Sequence, residues 1–333
     1  MSNDSKTTTA NSDGLVAAKM IAHGSHSFSF KILVPGDWKV DKVVDSSLLT
    51  DKISLISIFT SQFNSYASIQ VIGSIISNEI SAANWLKFYV GLREGWTAGE
   101  LTEVDAKRAR VSCEAVVDGL AMKGLASATI NGDTVVVLQG FCPADEFEQF
   151  REALNLGVRS FNTDEIIHPN VIEPLARFDV GSRVASSCPA SWAARFPDKT
   201  PSGKSAVDWI RRDSQDVVRG VMRLKVAKKH GPSSYHQHLE DSIREFRESD
   251  MVVDEILGVS EIGSRDQFLS VVLLEARAHT NPDADLLFRC LVFEGIDLFI
   301  ILTSLGPNEE QEFYEWAIND RALRIVADML TID

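Results

Sequence analysis

The sequence predicts an α+β protein of two tandem domains, each with a mainly antiparallel sheet covered by helices. Near the C-terminus two apolar runs, 286–293 and 297–305, flank a glycine turn and precede an amphipathic segment. This pattern is typical of a β-hairpin followed by a helix. Residues 124–161 have the same pattern. We interpret the repetition as an internal duplication, and the hairpins indicate antiparallel rather than βαβ sheets.

Length and one polar segment predict the limits of the domains. A chain of 333 residues is long enough for two domains with separate cores. Residues 162–177 contain two prolines among polar residues and have no sustained periodicity, which is typical of a linker. We therefore predict a disordered tail at 1–14, a first domain at 15–161 and a second domain at 178–333.

Each half begins with a strand and a turn that ends in tryptophan. Residues 28–32 alternate apolar and polar side chains as a strand does, and Trp38 follows a proline by three residues. Trp192 stands at the same spacing in the second half. Further β-prone runs and one helix follow in each half, and we predict these helices at 81–95 and from Ser234 onwards.

Charge and hydropathy exclude several classes of function. The net charge of −14 argues against general binding to nucleic acid or anionic membranes, because phosphate binding relies on concentrated Lys and Arg. The longest apolar run, around 298–302, is far shorter than the roughly 18–20 residues that span a bilayer. The N-terminus shows no export signal. We therefore predict a cytoplasmic protein without direct membrane insertion.

Motifs that could carry chemistry are incomplete. Residues 201–205 end in Gly-Lys-Ser as a P-loop does, but Asp198 occupies the position of the first glycine. A histidine cluster near Asp241 is a weak metal candidate, since two of its members are two residues apart and point to different faces of a helix. The cluster consists of His230, His236 and His238.

Other titratable residues also favour structural roles. The four cysteines are scattered without a CxxC pair, which favours reduced, buried thiols. They are Cys113, Cys142, Cys188 and Cys290. The segment 208–216 carries three aspartates with Arg211 and Arg212 between them, a pattern that favours an exposed amphipathic helix. We predict no catalytic residue, no cofactor and no metal.

Two sets of side chains are candidates for contact with a partner protein. The segment around 81–95 has more large aromatic side chains than one narrow helix face can bury, namely Trp85, Tyr89 and Trp96. Part of the predicted helix therefore lines a groove or, alternatively, packs in the core. Arg219, Arg223 and Lys225 form a basic stripe that could dock an acidic partner or simply face solvent.

The motif Phe-x-Phe followed by Pro-x-x-Trp, at 28–38, resembles the PsbP-like superfamily when read with the hairpin, helix and terminal helix that follow. That superfamily includes the photosystem extrinsic subunit, the Ran-binding nuclear-import factor, and DcrB-like and Eag-type chaperone domains. The resemblance covers 28–161 and, with departures around Pro189 and Trp192, 178–330. It implies an α/β/α sandwich used for protein binding, without a shared catalytic centre or cofactor.

The resemblance leads us to expect a non-enzymatic adaptor or chaperone whose two halves pack as a pseudo-dimer, in a monomer or a homo-oligomer. Eag-type chaperones shield apolar helices of type VI secretion effectors, so a link to bacterial secretion is one form of this hypothesis. The alternative is an enzyme or small-molecule-binding protein with a site in an interdomain cleft. A structural subunit of a larger assembly is a third possibility.

Overall fold

The computed structural model describes most of the chain as two compact units, Met1–Ile172 and Glu173–Asp333. The described residues are 9–10, 15–21, 29–42, 52–163, 172–197, 205–229, 234–248, 252–265, 267–279 and 285–332. Strand residues occupy both ends of the predicted linker, at 162–163 and from Leu175 onwards. The predicted domain limits stay a prediction, since residues 164–171 lie outside the described ranges.

The first unit contains two antiparallel sheets and two helices among its described residues. Its strands are β1 (Thr9–Ala10), β2 (Leu15–Ile21), β3 (Ser29–Pro35), β4 (Lys39–Lys42), β5 (Ser54–Thr60), β6 (Ser68–Ile75), β7 (Trp96–Asp105), β8 (Arg108–Val117), β9 (Leu120–Asn131), β10 (Thr134–Pro143) and β11 (Asn162–Thr163). Its helices are α1 (Ala82–Gly91) and α2 (Phe147–Ser160). The smaller sheet has the order β1-β2-β3-β11, and the larger has the order β4-β5-β6-β10-β9-β8-β7.

The second unit is also built from two antiparallel sheets and two helices in its described part. Its strands are β12 (Leu175–Val180), β13 (Val184–Pro189), β14 (Trp192–Arg195), β15 (Ser205–Arg212), β16 (Val218–Lys228), β17 (Val252–Arg265), β18 (Phe268–His279), β19 (Leu286–Glu294), β20 (Leu298–Pro307) and β21 (Thr331–Ile332). Its helices are α3 (Tyr235–Arg247) and α4 (Phe313–Asp328). The sheet orders are β12-β13-β21 and β14-β15-β16-β20-β19-β18-β17.

The two large sheets have the same strand order. Each strand of the second sheet lies ten strands after its counterpart in the first, and each helix follows the equivalent strand. This shared order is the relationship that an internal duplication predicts. The prediction of two tandem domains, each based on an antiparallel sheet, is confirmed.

Both tryptophans that end the predicted turns are buried. Trp38 is buried, its backbone N–H donates a hydrogen bond of 3.1 Å to the carbonyl of Pro35, and its ring meets the edge of Phe150 in α2. Trp192 is buried at the equivalent place. Each tryptophan therefore joins the end of one sheet to the start of the next.

Each helix contacts strands of its own unit. Helix α1 contacts β7, β8 and β9, whereas α2 contacts β3, β9 and β10. In the second unit α3 contacts β17, β19 and β20, and α4 contacts β13, β16 and β20. Strand β10 is buried along its whole length. The central strand β10 therefore lies in the core of the first unit.

The amphipathic helix expected over 208–216 is wrong, because Asp208 to Arg212 are part of strand β15. Val207 and Trp209 point into the core with no exposed surface, and Asp208 between them does not. The apolar period is therefore two rather than 3.6 residues.

Candidate functional site

The aromatic residues predicted on one helix are divided between a helix and a strand. Helix α1 ends at Gly91, and Trp96 is the first residue of β7. Gly95 has a φ of 75°, a left-handed conformation that turns the chain into the strand. The predicted helix at 81–95 is therefore too long. The prediction was too long because Trp96 continues the helical spacing of aromatic residues beyond Gly91, where the helix ends.

Trp85 and Tyr89 lie in the core. Their exposed fractions are 2% and 1%, and their rings stack with centroids 5.5 Å apart. The hydroxyl of Tyr89 donates a hydrogen bond of 2.6 Å to Oε1 of Gln139, which also accepts one of 3.0 Å from Arg93. Burial raises the pKa of Tyr89, so its hydroxyl stays a donor. These side chains attach α1 to β10.

Trp96 is partly exposed. The guanidinium carbon of Arg93 lies 3.9 Å from the Trp96 ring centroid, and Phe141 packs edge-on against the same ring. A cation over an aromatic face is a stable arrangement. Of the three aromatic candidates, Trp96 is the one whose ring a partner could reach, and one face of that ring is already covered.

The predicted basic stripe is paired with acids inside its own unit. Arg223 donates two hydrogen bonds to Asp208, of 2.6 and 3.0 Å, and these raise the pKa of Arg223. Lys225 forms an ion pair with Glu245 of α3. An acidic partner would have to compete with these carboxylates.

Arg219 is held in the same way. Its Nε lies 2.8 Å from Asp213, and its guanidinium also contacts Glu312 at 2.7 Å. Hydrogen bonds from the backbone of Val217 and from Arg219 lower the pKa of Asp213. The stripe therefore has much less free positive charge than the sequence alone indicates.

A buried polar cluster beneath α4 was not predicted. Arg211 is 3% exposed, and its Nε donates a hydrogen bond of 3.1 Å to Asn319 while its guanidinium pairs with Glu315. Asn319 in turn donates one of 2.7 Å to the carbonyl of Arg219. The cluster joins α4 to β15 and β16, so we assign it a structural role. Its sequence signal is a polar residue inside the apolar stripe of a helix.

The four cysteines are free thiols in buried positions. Burial raises the pKa of Cys113 and of Cys142 to about 11, and that of Cys290 to about 12. Burial also raises the pKa of Cys188. Because the thiolate is the nucleophilic form, none of these environments activates a thiol.

The histidine cluster is divided by the structure. His230 and residues 201–204 of the P-loop-like segment lie outside the described ranges. His236 lies against the ring of Tyr235, and His238 lies 4.5 Å from the ring centroid of Phe299. The described residues contain no group of three or more side chains placed to hold a metal ion.

The most exposed apolar element is β17, the last strand of the second large sheet. Its five exposed large apolar side chains are Val252 at 46%, Ile256 at 56%, Leu257 at 50%, Val259 at 52% and Ile262 at 48% exposure. Residues 252–259 belong to the β-prone runs predicted in the second half, but the exposure of their side chains could not be predicted, because strand order depends on distant pairings.

None of the helices in the described ranges is long and apolar enough to span a bilayer.

No model of a protein family matches the sequence, and no curated protein matches it. Several solved structures are similar to this chain, among them the following three. Cyanobacterial PsbP (CyanoP) from Synechocystis sp. PCC 6803 is 15% identical, with a TM-score of 0.31 over 40% of this chain and 85% of that one. LpqN, involved in cell envelope biogenesis of Mycobacterium tuberculosis, is 13% identical, with a TM-score of 0.33 over 44% of this chain and 91% of that one. The di-domain ARO/CYC BexL from the BE-7585A biosynthetic pathway is 11% identical, with a TM-score of 0.16 over 78% of this chain and 98% of that one.

Proposed function

We propose that the chain is a non-enzymatic, cytoplasmic adaptor or chaperone that binds a partner protein along β17. The observation that supports this function is the exposure of five large apolar side chains on a strand at the free edge of its sheet. Large apolar side chains left exposed together on one element are candidates for a binding surface. The free edge also offers backbone N–H and C=O groups to an added strand.

We also propose that each unit is an α/β/α sandwich of the PsbP-like kind. In β10, Gln139 bonds to Tyr89 of α1, whereas a Cβ on the next residue, Gly140, would lie 2.8 Å from Leu154 of α2. Successive residues of a strand point to opposite faces. This contrast favours helices on both faces of the first large sheet.

The second unit supports the same arrangement. Ile300 of β20 belongs to a core cluster with Leu323 of α4. The next residue, Ile301, belongs to a separate cluster with Leu239 of α3. Two clusters on alternating residues of one strand correspond to two helix-covered faces.

Strand β7 shows that topology alone does not require the exposure of β17. It occupies the same edge of the first large sheet, yet it carries a single exposed large apolar side chain, Val104 at 49%. Both strands carry three carboxylates, so the difference between the two edges lies in their apolar side chains. The two edges have therefore diverged, and the apolar one is the better candidate for a binding surface.

The charge of β17 indicates the chemistry of its partner. The strand carries Asp254, Glu255 and Glu261 against a single arginine. Asp254 lies 2.5 Å from His279 and Glu255 lies 3.9 Å from Arg277, both of β18, so Glu261 is the carboxylate that these pairs leave for a partner. An extended segment that alternates apolar and basic residues would complement both its apolar side chains and its negative charge. We propose that such a segment of another protein adds to β17 as a strand.

A short peptide of alternating valine and lysine is a direct probe of this site. We expect saturable binding in isothermal titration calorimetry, and slower hydrogen exchange of β17 backbone amides in the complex. The double variant Ile256→Ser/Val259→Ser should weaken binding by about tenfold or more, because two apolar contacts are lost.

Val104→Ser on β7 is the matched control and should bind the peptide as the parent protein does. An absence of saturable binding would contradict the proposal. Equal losses in the β7 and β17 variants would also contradict it, because binding would then not depend on the β17 surface.

A further inference from the structure

The first unit contains a cavity of about 260 Å³ between α2 and the strands β7, β8 and β9. Its apolar part is formed by Leu125 of β9, which packs against the same core cluster as α2, and by the buried Val158 of the helix. Two arginines also line it, Arg110 of β8 and Arg159 of α2. Apolar walls with a few convergent polar groups are typical of ligand sites.

Neither arginine has an acidic partner within the described ranges, although their neighbours do. Arg108, two residues before Arg110, lies 2.7 Å from Asp105. Arg151 of α2 lies 2.9 Å from Glu148. In a chain with a net charge of −14, two arginines that share a cavity without a carboxylate bound to either are available for an external anion.

Different elements bring the two arginines to one place. Cross-strand pairing sets Arg110 beside Thr102, which also lines the cavity. Arg159 lies in the last turn of α2, where the negative end of the helix dipole favours a cation. Its position is therefore stable without a carboxylate.

The polar groups around the arginines suit an anion. Ser112 Oγ accepts a hydrogen bond of 3.0 Å from the backbone N–H of Glu100, which leaves its hydroxyl proton free to donate. Asn155 supplies an amide. Glu100 is the one carboxylate among the lining residues, so with two arginines the cavity has a net charge of +1.

We propose that this cavity binds a small organic anion, with a phosphate or carboxylate group between Arg110 and Arg159 and an apolar part against Leu125 and Val158. The volume lies just below the roughly 300–1,000 Å³ of ordinary ligand pockets, so the anchored group is small. Asn155 and Arg159 also line an open depression of about 600 Å³ along α2. A longer ligand can extend into this depression.

Phenyl phosphate and benzoate are suitable probes, measured by isothermal titration calorimetry on the full chain at low salt. We expect saturable binding of at least one of them. The stronger binder identifies the group as phosphate or carboxylate. Arg110→Gln and Arg159→Gln should each weaken binding by about tenfold, since each removes a charge-assisted contact. Glu100→Gln should strengthen it, because a like charge is removed from the cavity.

Arg195→Gln is the matched control. Arg195 is an exposed arginine of the second unit that also has no acidic partner in the described part of the chain. It should leave binding unchanged, and equal urea unfolding midpoints should show that the variants are folded. The proposal is overturned if neither probe saturates, if Arg195→Gln weakens binding as much as Arg110→Gln does, or if Glu100→Gln weakens it.

Discussion

The hydroxyl of Tyr89 lies 2.6 Å from Oε1 of Gln139 and joins α1 to the central strand β10. Both residues are 1% exposed. Arg93 donates to the same oxygen, and Nε2 of Gln139 donates a hydrogen bond of 2.7 Å to Gln70 of β6. A polar chain thus crosses the core with each of these contacts satisfied, which makes the attachment of α1 specific.

Tyr89→Phe should lower the free energy of unfolding by about 1–2 kcal/mol, because a buried hydrogen bond is lost. Urea unfolding followed by circular dichroism measures this change. Tyr66→Phe is the control, since Tyr66 is 49% exposed, and it should leave stability unchanged. Equal stabilities of the parent and Tyr89→Phe would show that the hydrogen bond contributes nothing.

The side-chain amide of Asn319 packs closely against the backbone of two glycines, Gly220 and Gly306. A Cβ on Gly306 would lie 2.3 Å from Nδ2 of Asn319. Gly306→Ala should therefore destabilise the second unit by about 1–3 kcal/mol through overpacking. Unfolding in urea is the measurement.

A double-mutant cycle identifies the cause. Combined with Asn319→Ala, the Gly306→Ala substitution should cost less than it does alone, since the clashing amide is gone. Gly91→Ala is the control because no atom lies within 4 Å of its Cβ position, and it should be neutral or stabilising. Strict additivity of Gly306→Ala and Asn319→Ala would contradict the packing argument.

The buried thiols predict a loss of stability at alkaline pH. Burial raises the pKa of Cys113 to about 11 from an ordinary value of 9.0, so the folded state holds its proton more tightly than the unfolded state. This contribution is complete below about pH 9 and is lost as the pH rises through 11. The urea midpoint should fall over that range, and Cys113→Ala should reduce the fall.

Thiol reactivity checks the same burial. All four cysteines should react slowly with Ellman's reagent in the native protein and fully in denaturant. Rapid reaction of a native thiol would contradict its buried, protonated state.

Limited proteolysis should cut first between Asn162 and Arg177 and leave two resistant fragments of similar size. The physical reason is that each unit has its own sheets and core, whereas this segment is rich in polar residues and proline. Mass spectrometry of the fragments locates the cuts. Early cleavage within 109–161 would show that the predicted boundary is wrong.

Local patterns predicted much of the fold. The spacing of Pro35 to Trp38 and its repetition at Trp192 correctly indicated equivalent turns, because a turn and its anchor are close in sequence. Trp96 was wrongly placed on a helix because its spacing from Trp85 fits the helical period. In the structure Gly95 has a left-handed backbone conformation, and strand β7 begins at the next residue. Asp208 was misplaced because charged residues dominate its neighbourhood and obscure the alternation of β15.

The candidate sites depended on long-range pairing, which a local pattern does not contain. Arg223 is balanced by Asp208 only because β15 and β16 lie side by side. The exposure of Ile256 follows from the position of β17 at the end of a strand order set by distant segments. Arg110 and Arg159 meet at one cavity although 49 residues separate them in the sequence.

The most direct test of protein binding at β17 is site-specific photocrosslinking in the cells that produce the chain. A benzophenone amino acid would replace Leu257 of β17 in one variant and Val104 of β7 in another. We predict a discrete crosslinked protein from position 257, joined through an extended segment with apolar and basic residues, and none of this species from position 104. Irradiation that yields no crosslinked protein at 257, or the same species at both positions, would contradict the proposed function.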